Sequence, residues 1–156
     1  CSDPLMHKYS AVGGLPELKE AIAVKTMRDS GYEVEASQVL VTNGGKHAVY
    51  NCFEALLNPG DEVLYPVPGW LSYPEMIRIA EGEPIPYHCK GENNFRPDLD
   101  ELRRLITPKT KAIIVNNPSN PTGAAYTPDE GASSMRPYVM QSTLTTTKPT
   151  SGFVRR

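Results

Sequence analysis

Two hydrophobic periodicities alternate along most of the chain. Apolar residues three or four positions apart predict four helices, and short runs of branched aliphatic residues predict four strands. The helices are predicted over 15–29, 49–57, 70–80 and 98–106. The strands are predicted over 39–42, 62–65, 85–88 and 111–115. Strands that alternate with helices of this length indicate βαβ units, so we predict an α/β fold with a mostly parallel sheet.

Local signals set several of these boundaries. Pro16 lies in the first turn of the first helix and Gly31 follows its end, the usual asymmetry of helix termini. Asp98 is placed to cap the fourth helix. Pro84 and Pro86 interrupt the third strand, and because proline cannot donate to a sheet ladder, this strand is predicted at a sheet edge.

Composition narrows the class of protein. The 156 residues include 16 basic and 18 acidic side chains, for a net charge of −2, so neither nucleic acid nor an anionic membrane is expected as a partner. No apolar run is long enough to predict a membrane span. Cys1, Cys52 and Cys89 are widely spaced and have no metal-ligand pattern. We therefore expect free thiols, a reducing cytoplasmic location and no metal site.

The charge distribution changes near residue 130. Residues 1–130 contain all 18 acidic residues, whereas residues 131–156 contain four basic residues, none that is acidic, and nine serines and threonines. This last segment has no sustained periodicity, so we expect a tail without regular structure. A chain that opens with Cys-Ser-Asp-Pro is also expected to be a fragment of a longer protein.

Three polar loops are candidates for a binding site, because ligands of α/β sheets bind beyond the carboxyl ends of the strands. Thr42–His47 has two glycines before a helix and suits an anion, although a plain turn explains it equally. Tyr65–Pro74 contains Trp70, the only tryptophan, which suits stacking on a planar ring or filling of the core. Asn116–Gly123 is rich in amides and turn residues and is the most specific signal of the three.

Four motifs occur in order and together carry a resemblance. They are Tyr9-Ser-Ala-Val-Gly-Gly14, Thr42-Asn-Gly-Gly-Lys46, Pro66-Val-Pro-Gly-Trp-Leu-Ser-Tyr-Pro74 and Asn117-Pro-Ser-Asn-Pro-Thr-Gly123. Over about residues 5–130 the chain resembles the pyridoxal-phosphate-dependent aminotransferases of class I/II, in particular the aspartate aminotransferase group. The resemblance implies a three-layer α/β sandwich, with residues 1–130 forming part of the large domain of a fold type I enzyme.

The resemblance also implies a cofactor, pyridoxal 5′-phosphate, and the residues that bind it. Gly44, Gly45 and Lys46 would lie at its phosphate, Trp70 would stack on its ring, and Asn120 would donate to its phenolic oxygen.

The implied reaction and partners follow from the same resemblance. Full-length members would transfer an amino group between an aspartate-like L-amino acid and a 2-oxo acid, in amino acid metabolism and biosynthesis. Lys46, Trp70 and Asn120 would also contact the substrate. Tyr9 would reach the phosphate of the other subunit of a homodimer.

No catalytic residue is assigned. In the family, the lysine that binds the cofactor covalently and an aspartate that pairs with the pyridine nitrogen follow later, but no acidic residue occurs after Glu130, and Lys148 comes too early to match. We therefore expect the chain alone to be inactive. Two alternatives remain open: a lyase or synthase of the same fold that uses the same cofactor, and a non-catalytic phosphate-binding remnant.

Overall fold

The computed structural model describes residues 8–126 and, for the backbone, the strands at 140–144 and 151–155. These residues divide into two compact units, Cys1–Gly44 and Gly45–Arg156. Cys1, Lys148 and the predicted domain boundary at residue 130 lie outside the described residues.

The first unit is built around one helix and one glycine turn. Helix α1 spans Pro16–Ser30 and ends at Gly31, whose φ of 67° is left-handed, as the sequence predicts. Gly14 has a φ of 98°, and a Cβ there would lie 2.6 Å from the side chain of Val41. Only glycine fits at this position, which brings the turn directly against Val41.

The predicted strand over 39–42 does not form, and this part of the secondary-structure prediction is wrong. The Val41 amide donates to the carbonyl of Gly13, but none of the described strands includes or pairs with this segment. Leu40 is 59% exposed. An apolar run becomes a strand only where a partner strand satisfies its backbone groups, and the described residues provide none here.

The described residues of the second unit form a mixed sheet, three α-helices and a short 3-10 helix at Gly91–Asn93. Helix α2 spans Gly45–Leu56, α3 spans Ser72–Ile79 and α4 spans Leu99–Leu105. Strand β1 spans Glu62–Val67, β2 Glu83–His88, β3 Thr110–Asn116, β4 Met140–Leu144 and β5 Ser151–Arg155. The strand order is β2-β1-β3-β5-β4. The first three strands are parallel, and β5 is antiparallel to both of its neighbours. The predicted α/β fold is confirmed.

Alternate residues of the parallel strands face two separate apolar cores. One core lies between the sheet and helices α2 and α3, and the other lies between the sheet and α4, which gives three layers. The first core contains Val49, Phe53, Val63, Tyr73, Met76, Ile77, Ala80, Ala112 and Ile114. The second contains Leu64, Tyr87, Cys89, Leu102 and Ile113.

Strand β2 lies at the edge of the sheet, as its prolines predict. The Glu83 amide donates to the carbonyl of Asp61, the residue before β1, and the Cys89 amide donates to the carbonyl of Val67 in β1. Because alternate residues of a parallel strand face the same neighbour, Pro84 and Pro86 fall where an N–H would face away from β1. The prolines therefore cost no ladder hydrogen bond.

Strands β4 and β5 lie in the segment where we expected no regular structure, so the structure differs from that expectation for ten residues. Strand β5 pairs with β3 from Ala112↔Arg155 to Asn116↔Ser151, and β4 then pairs with β5. Backbone pairing on the open edge of β3 requires no hydrophobic alternation in the added strand. The hydrophobic periodicity of the sequence therefore did not indicate strands β4 and β5.

Helix α3 provides a matched test of the first core. Ile77 is fully buried and Ile79 is 65% exposed on the same helix. We expect Ile77→Ala to lower the free energy of unfolding by about 2 to 5 kcal/mol, because it leaves a cavity. Ile79→Ala should change it by less than about 0.5 kcal/mol. Urea denaturation followed by circular dichroism measures both, and equal losses would contradict this assignment of the core.

The cap of α4 provides a pH-dependent test. The Asp98 carboxylate accepts from the amides of Asp100 and Glu101, and these bonds hold its pKa below the usual value. Its stabilising effect should be complete above the unfolded-state pKa of about 3.9 and should fall as the pH drops through the lower folded-state pKa.

We expect Asp98→Ala to lower the urea midpoint at pH 7, because the cap is lost. Asp98→Asn keeps an acceptor that does not titrate, so it should stay close to wild type at pH 7 and lose less stability in acid. Urea midpoints measured from pH 7 to pH 3 compare the three proteins. An identical acid response of Asp98→Asn and wild type would contradict this role of Asp98.

Candidate functional site

Two polar loops meet at one edge of the sheet. Strands β1 and β3 are parallel neighbours, so the loops that follow Val67 and Asn116 leave the sheet at the same edge. One loop carries Trp70 and the other carries Asn120. The sequence predicts three polar loops beyond the carboxyl ends of strands, and this is confirmed for the loops after β1 and β3. It is wrong for Thr42–His47, because no strand forms over residues 39–42.

The start of helix α2 lies next to Trp70. The Nζ atom of Lys46, in the first turn of this helix, lies 5.4 Å from the centre of the Trp70 ring. An ammonium over an indole face at this distance is a cation–π contact. The first turn of α2 contains no acidic residue. Since a helix start leaves its first N–H groups without partners inside the helix, this end of α2 attracts negative charge.

Gly44 makes the tight turn that leads into α2. Its amide donates to the carbonyl of Thr42, and the Thr42 hydroxyl donates to the carbonyl of Gly44. Its φ is 85°, and a Cβ at this position would meet no atom within 4 Å. The positive φ explains the glycine. The space beside it leaves the backbone open to a ligand.

The Trp70 side chain is held on one side by the first core. Its ring meets the buried Tyr73 ring edge to face, with the two centroids 5.3 Å apart at 88°. Burial raises the pKa of Tyr73 to about 12, so the phenol is neutral at physiological pH. Gly69 is required before Trp70, because a Cβ there would lie 2.1 Å from the carbonyl oxygen of Pro66. Trp70 is half-buried.

Asn120 lies at the exposed tip of the loop after β3. The Gly123 amide donates to the carbonyl of Ser119, so Asn120 is one of three residues inside a closed turn. The Ser119 amide donates in turn to the carbonyl of Ala124. These bonds fix the backbone of the tip while the Asn120 side chain remains exposed.

Two phenols and a thiol lie together at the end of β2; Tyr87 and Cys89 are buried and Tyr126 is half-buried. The Tyr87 hydroxyl donates to the carbonyl of Ile114 over 2.7 Å, and the Tyr126 hydroxyl is hydrogen-bonded to the thiol of Cys89. Burial raises the pKa of Cys89 to about 11 and that of Tyr126 to about 12. Burial also raises the pKa of Tyr87, so all three groups are neutral at physiological pH.

The predicted site residues are brought together in part. Lys46 and Trp70 are in contact, Gly45 begins the helix that carries Lys46, and Asn120 lies at the same edge of the sheet as Trp70. Gly44 and Tyr9 belong to the first unit. The Tyr9 side chain is fully exposed.

Sequence reasoning missed two residues that support this site. Tyr73 holds the ring of Trp70, and its spacing of three residues on the start of a helix was a usable signal. Asn117 uses its side chain to join the two ends of the Asn120 loop. No local pattern distinguished Asn117 from the neighbouring amides.

The described residues also bear on the predictions about cysteines, membrane-spanning helices and metal ligands. Cys52 and Cys89 are free thiols, as expected, and burial raises the pKa of Cys52. In residues 8–126 and strands β4 and β5, no helix is long and apolar enough to cross a membrane. Over the same residues, no cluster of three or more histidine, cysteine or acidic side chains could hold a metal ion.

The family model for aminotransferase class I and II matches residues 2–132. The chain therefore belongs to the class I and II aminotransferase family, and the resemblance carried by the four motifs is confirmed.

Individual relatives agree with this family. An aspartate aminotransferase of Streptomyces avermitilis is 54% identical over 130 residues, which are 83% of this chain and 32% of that protein. An aspartate/prephenate aminotransferase of Thermus thermophilus is 50% identical over 119 residues, which are 76% of this chain and 31% of that protein.

Solved structures agree as well. The aspartate aminotransferase from Thermus thermophilus with maleate superposes with a TM-score of 0.80 at 46% identity, covering 83% of this chain and 34% of that one. An alanine aminotransferase from Pyrococcus furiosus gives a TM-score of 0.77 at 38% identity. The chain thus spans about a third of the length of these relatives.

The contact between Lys46 and Trp70 can be tested without any ligand. Because Trp70 is the only tryptophan, the emission of the protein reports on this ring alone. We expect Lys46→Met to change the emission, since the charge beside the indole is lost, and Lys46→Arg to stay closer to wild type, since guanidinium also binds aromatic faces. Fluorescence spectra of the folded proteins measure this.

Lys109→Met is the matched control, because Lys109 is an exposed lysine in the turn before β3. This variant should leave the emission unchanged. If Lys46→Met and Lys109→Met gave the same spectrum, the contact would not exist in solution.

Proposed function

We propose that residues 1–130 are part of the cofactor-binding large domain of a pyridoxal-phosphate-dependent aminotransferase of the aspartate type. The contact between Lys46 and Trp70 at the start of α2 is the observation that carries the proposal. It joins an anion-attracting helix end to an aromatic surface, and these are the two features that a flat phosphorylated ring needs. The names of the relatives favour transamination over the lyase and synthase alternatives.

The described residues fit this cofactor in three respects. The start of α2, at Gly45 and Lys46, has no acidic residue in its first turn and suits a phosphate. The half-buried Trp70 offers an indole for stacking, and Tyr73 keeps it in place. The exposed Asn120 amide is a hydrogen-bond donor at the same edge of the sheet.

Each of these residues has a separate task in the proposed reaction. When bound, the cofactor supplies an electron sink for the α-carbon of the amino acid. The start of α2 at Gly45 and Lys46 would hold the dianion, and Trp70 would fix the plane of the ring. Asn120 donates to the phenolic oxygen and so stabilises its deprotonated form. Lys46 adds positive charge where a substrate carboxylate would enter.

The wider assignment rests on the family. We propose an L-amino acid and a 2-oxo acid as substrates, a role in amino acid metabolism and biosynthesis, a homodimer in which Tyr9 reaches the other subunit's phosphate, and a cytoplasmic location. The fully exposed Tyr9 supports the contact with the other subunit. The free thiols of Cys52 and Cys89 support the cytoplasmic location. We assign no catalytic residue within this chain and propose that by itself it binds the cofactor without turnover.

Cofactor binding tests the proposal. We expect pyridoxal 5′-phosphate to quench the emission of Trp70, because the two rings stack. Trp70→Ala should weaken binding by about three- to tenfold, the range expected from loss of an aromatic pair. Equilibrium dialysis measures the Kd of both proteins, and Leu71→Ala, at an exposed neighbouring residue, is the control.

Two results would contradict the proposal. An unchanged Kd in Trp70→Ala would remove the stacking role. Conversion of aspartate and a 2-oxo acid by the purified chain, lost on replacement of one particular lysine, would show that the chain contains a catalytic lysine after all.

A further inference from the structure

The loop that carries Asn120 is closed at its base by one side chain. The Tyr126 amide donates to Oδ1 of Asn117 over 2.9 Å, and Nδ2 of Asn117 donates to the carbonyl of Tyr126 over 3.5 Å. The carboxamide thus engages both backbone polar groups of a residue nine positions away. Asn and Gln are the side chains that offer an acceptor and a donor together for such a contact.

The closed loop is connected to the sheet through Tyr126. The Tyr126 hydroxyl is hydrogen-bonded to the thiol of Cys89, which is 4% exposed. The Cys89 amide donates in turn to the carbonyl of Val67 at the end of β1. Asn117 itself follows the last residue of β3. The two ends of the loop are therefore fixed to different strands, and the Asn117 amide joins them.

The tip of the loop depends on this closure. Inside it, Ser119 and Gly123 form the turn that contains Asn120, and the Thr122 hydroxyl accepts from the Ala124 amide. These short-range bonds fix the shape of the tip but not its direction relative to the sheet. Because both ends must be held to aim a loop, the contact between Asn117 and Tyr126 decides where the Asn120 side chain is presented.

We propose that Asn117 is a positioning residue, whose carboxamide holds the loop so that Asn120 can reach the phenolic oxygen of the ligand ring. Asn117 has no contact with the ligand in this proposal and acts through Asn120. The proposal rests on the function given above and adds a second residue to it. Replacement of Asn117 should have the same effect on cofactor binding as replacement of Asn120.

A double-mutant cycle on the full chain tests the coupling. The proteins are wild type, Asn117→Ala, Asn120→Ala and the double variant, and the measured quantity is the Kd for pyridoxal 5′-phosphate from equilibrium dialysis. We expect each single variant to raise the Kd by about fivefold, the effect of one hydrogen bond. The double variant should be no weaker than Asn120→Ala alone. Independent, multiplicative losses would overturn the proposal.

The pH dependence of the bound ligand separates positioning from a general effect on folding. Asn120 stabilises the deprotonated phenolic oxygen, so its loss should raise the pH at which the absorbance of the bound ligand titrates. Asn117→Ala should raise this midpoint by the same amount. Asn93→Ala is the matched control, because Asn93 also donates from Nδ2 to a backbone carbonyl, that of Arg96, over 3.5 Å. It should change neither the midpoint nor the Kd.

Hydrogen exchange of the Tyr126 amide tests the closure without any ligand. Exchange should be faster in Asn117→Ala, partly protected in Asn117→Asp, which keeps the acceptor, and unchanged in Asn120→Ala. Unchanged exchange in Asn117→Ala would overturn the closure itself. Failure of wild type to bind the cofactor, or an unaltered Kd in Asn120→Ala, would instead overturn the proposed function and, with it, the coupling, while leaving the exchange result intact.

Discussion

Parallel pairing of β1 with β2 on one side and β3 on the other is the constraint from which the rest of the second unit follows. A parallel strand has both of its faces covered, because the connections return through helices. Residues 63 and 64 therefore face opposite cores, and so do residues 113 and 114. The same direction of the strands brings the loops after β1 and β3 to one edge. The shared edge at which Trp70 and Asn120 lie is thus a consequence of strand direction.

The candidate site combines rigid backbone with exposed functional groups. Tyr73 holds Trp70, Asn117 holds the loop of Asn120, and the tight turn at Gly44 leads into the helix that carries Lys46. In each case the supporting group is buried or hydrogen-bonded, whereas the group that would meet a ligand remains accessible. Groups that are already ordered lose less conformational entropy when a ligand binds.

Sequence patterns predicted most elements, and the exceptions have a physical cause. Helices α1, α2 and α4 were recognisable from apolar residues at helical spacing, and strands β1, β2 and β3 from short apolar runs, whereas α3 begins two residues later than predicted. The segment 39–42 has the composition of a strand but finds no partner among the described residues. Strands β4 and β5 show the reverse: they form by backbone pairing on the edge of β3 without a pattern in their side chains. Strand formation depends on distant partners, which local periodicity does not record.

The sequence by itself determined the family, the alternation of strands and helices, and the three loops that carry the candidate residues. The tertiary structure decided which of these residues meet. It placed the ammonium of Lys46 over the ring of Trp70, 24 positions along the chain, and it joined Asn117 to Tyr126. It also showed that Gly69 is needed to turn the chain against Pro66. Composition and spacing specify which groups are present, but contacts between distant positions depend on strand order and backbone direction, and these are set only when the whole sheet is assembled.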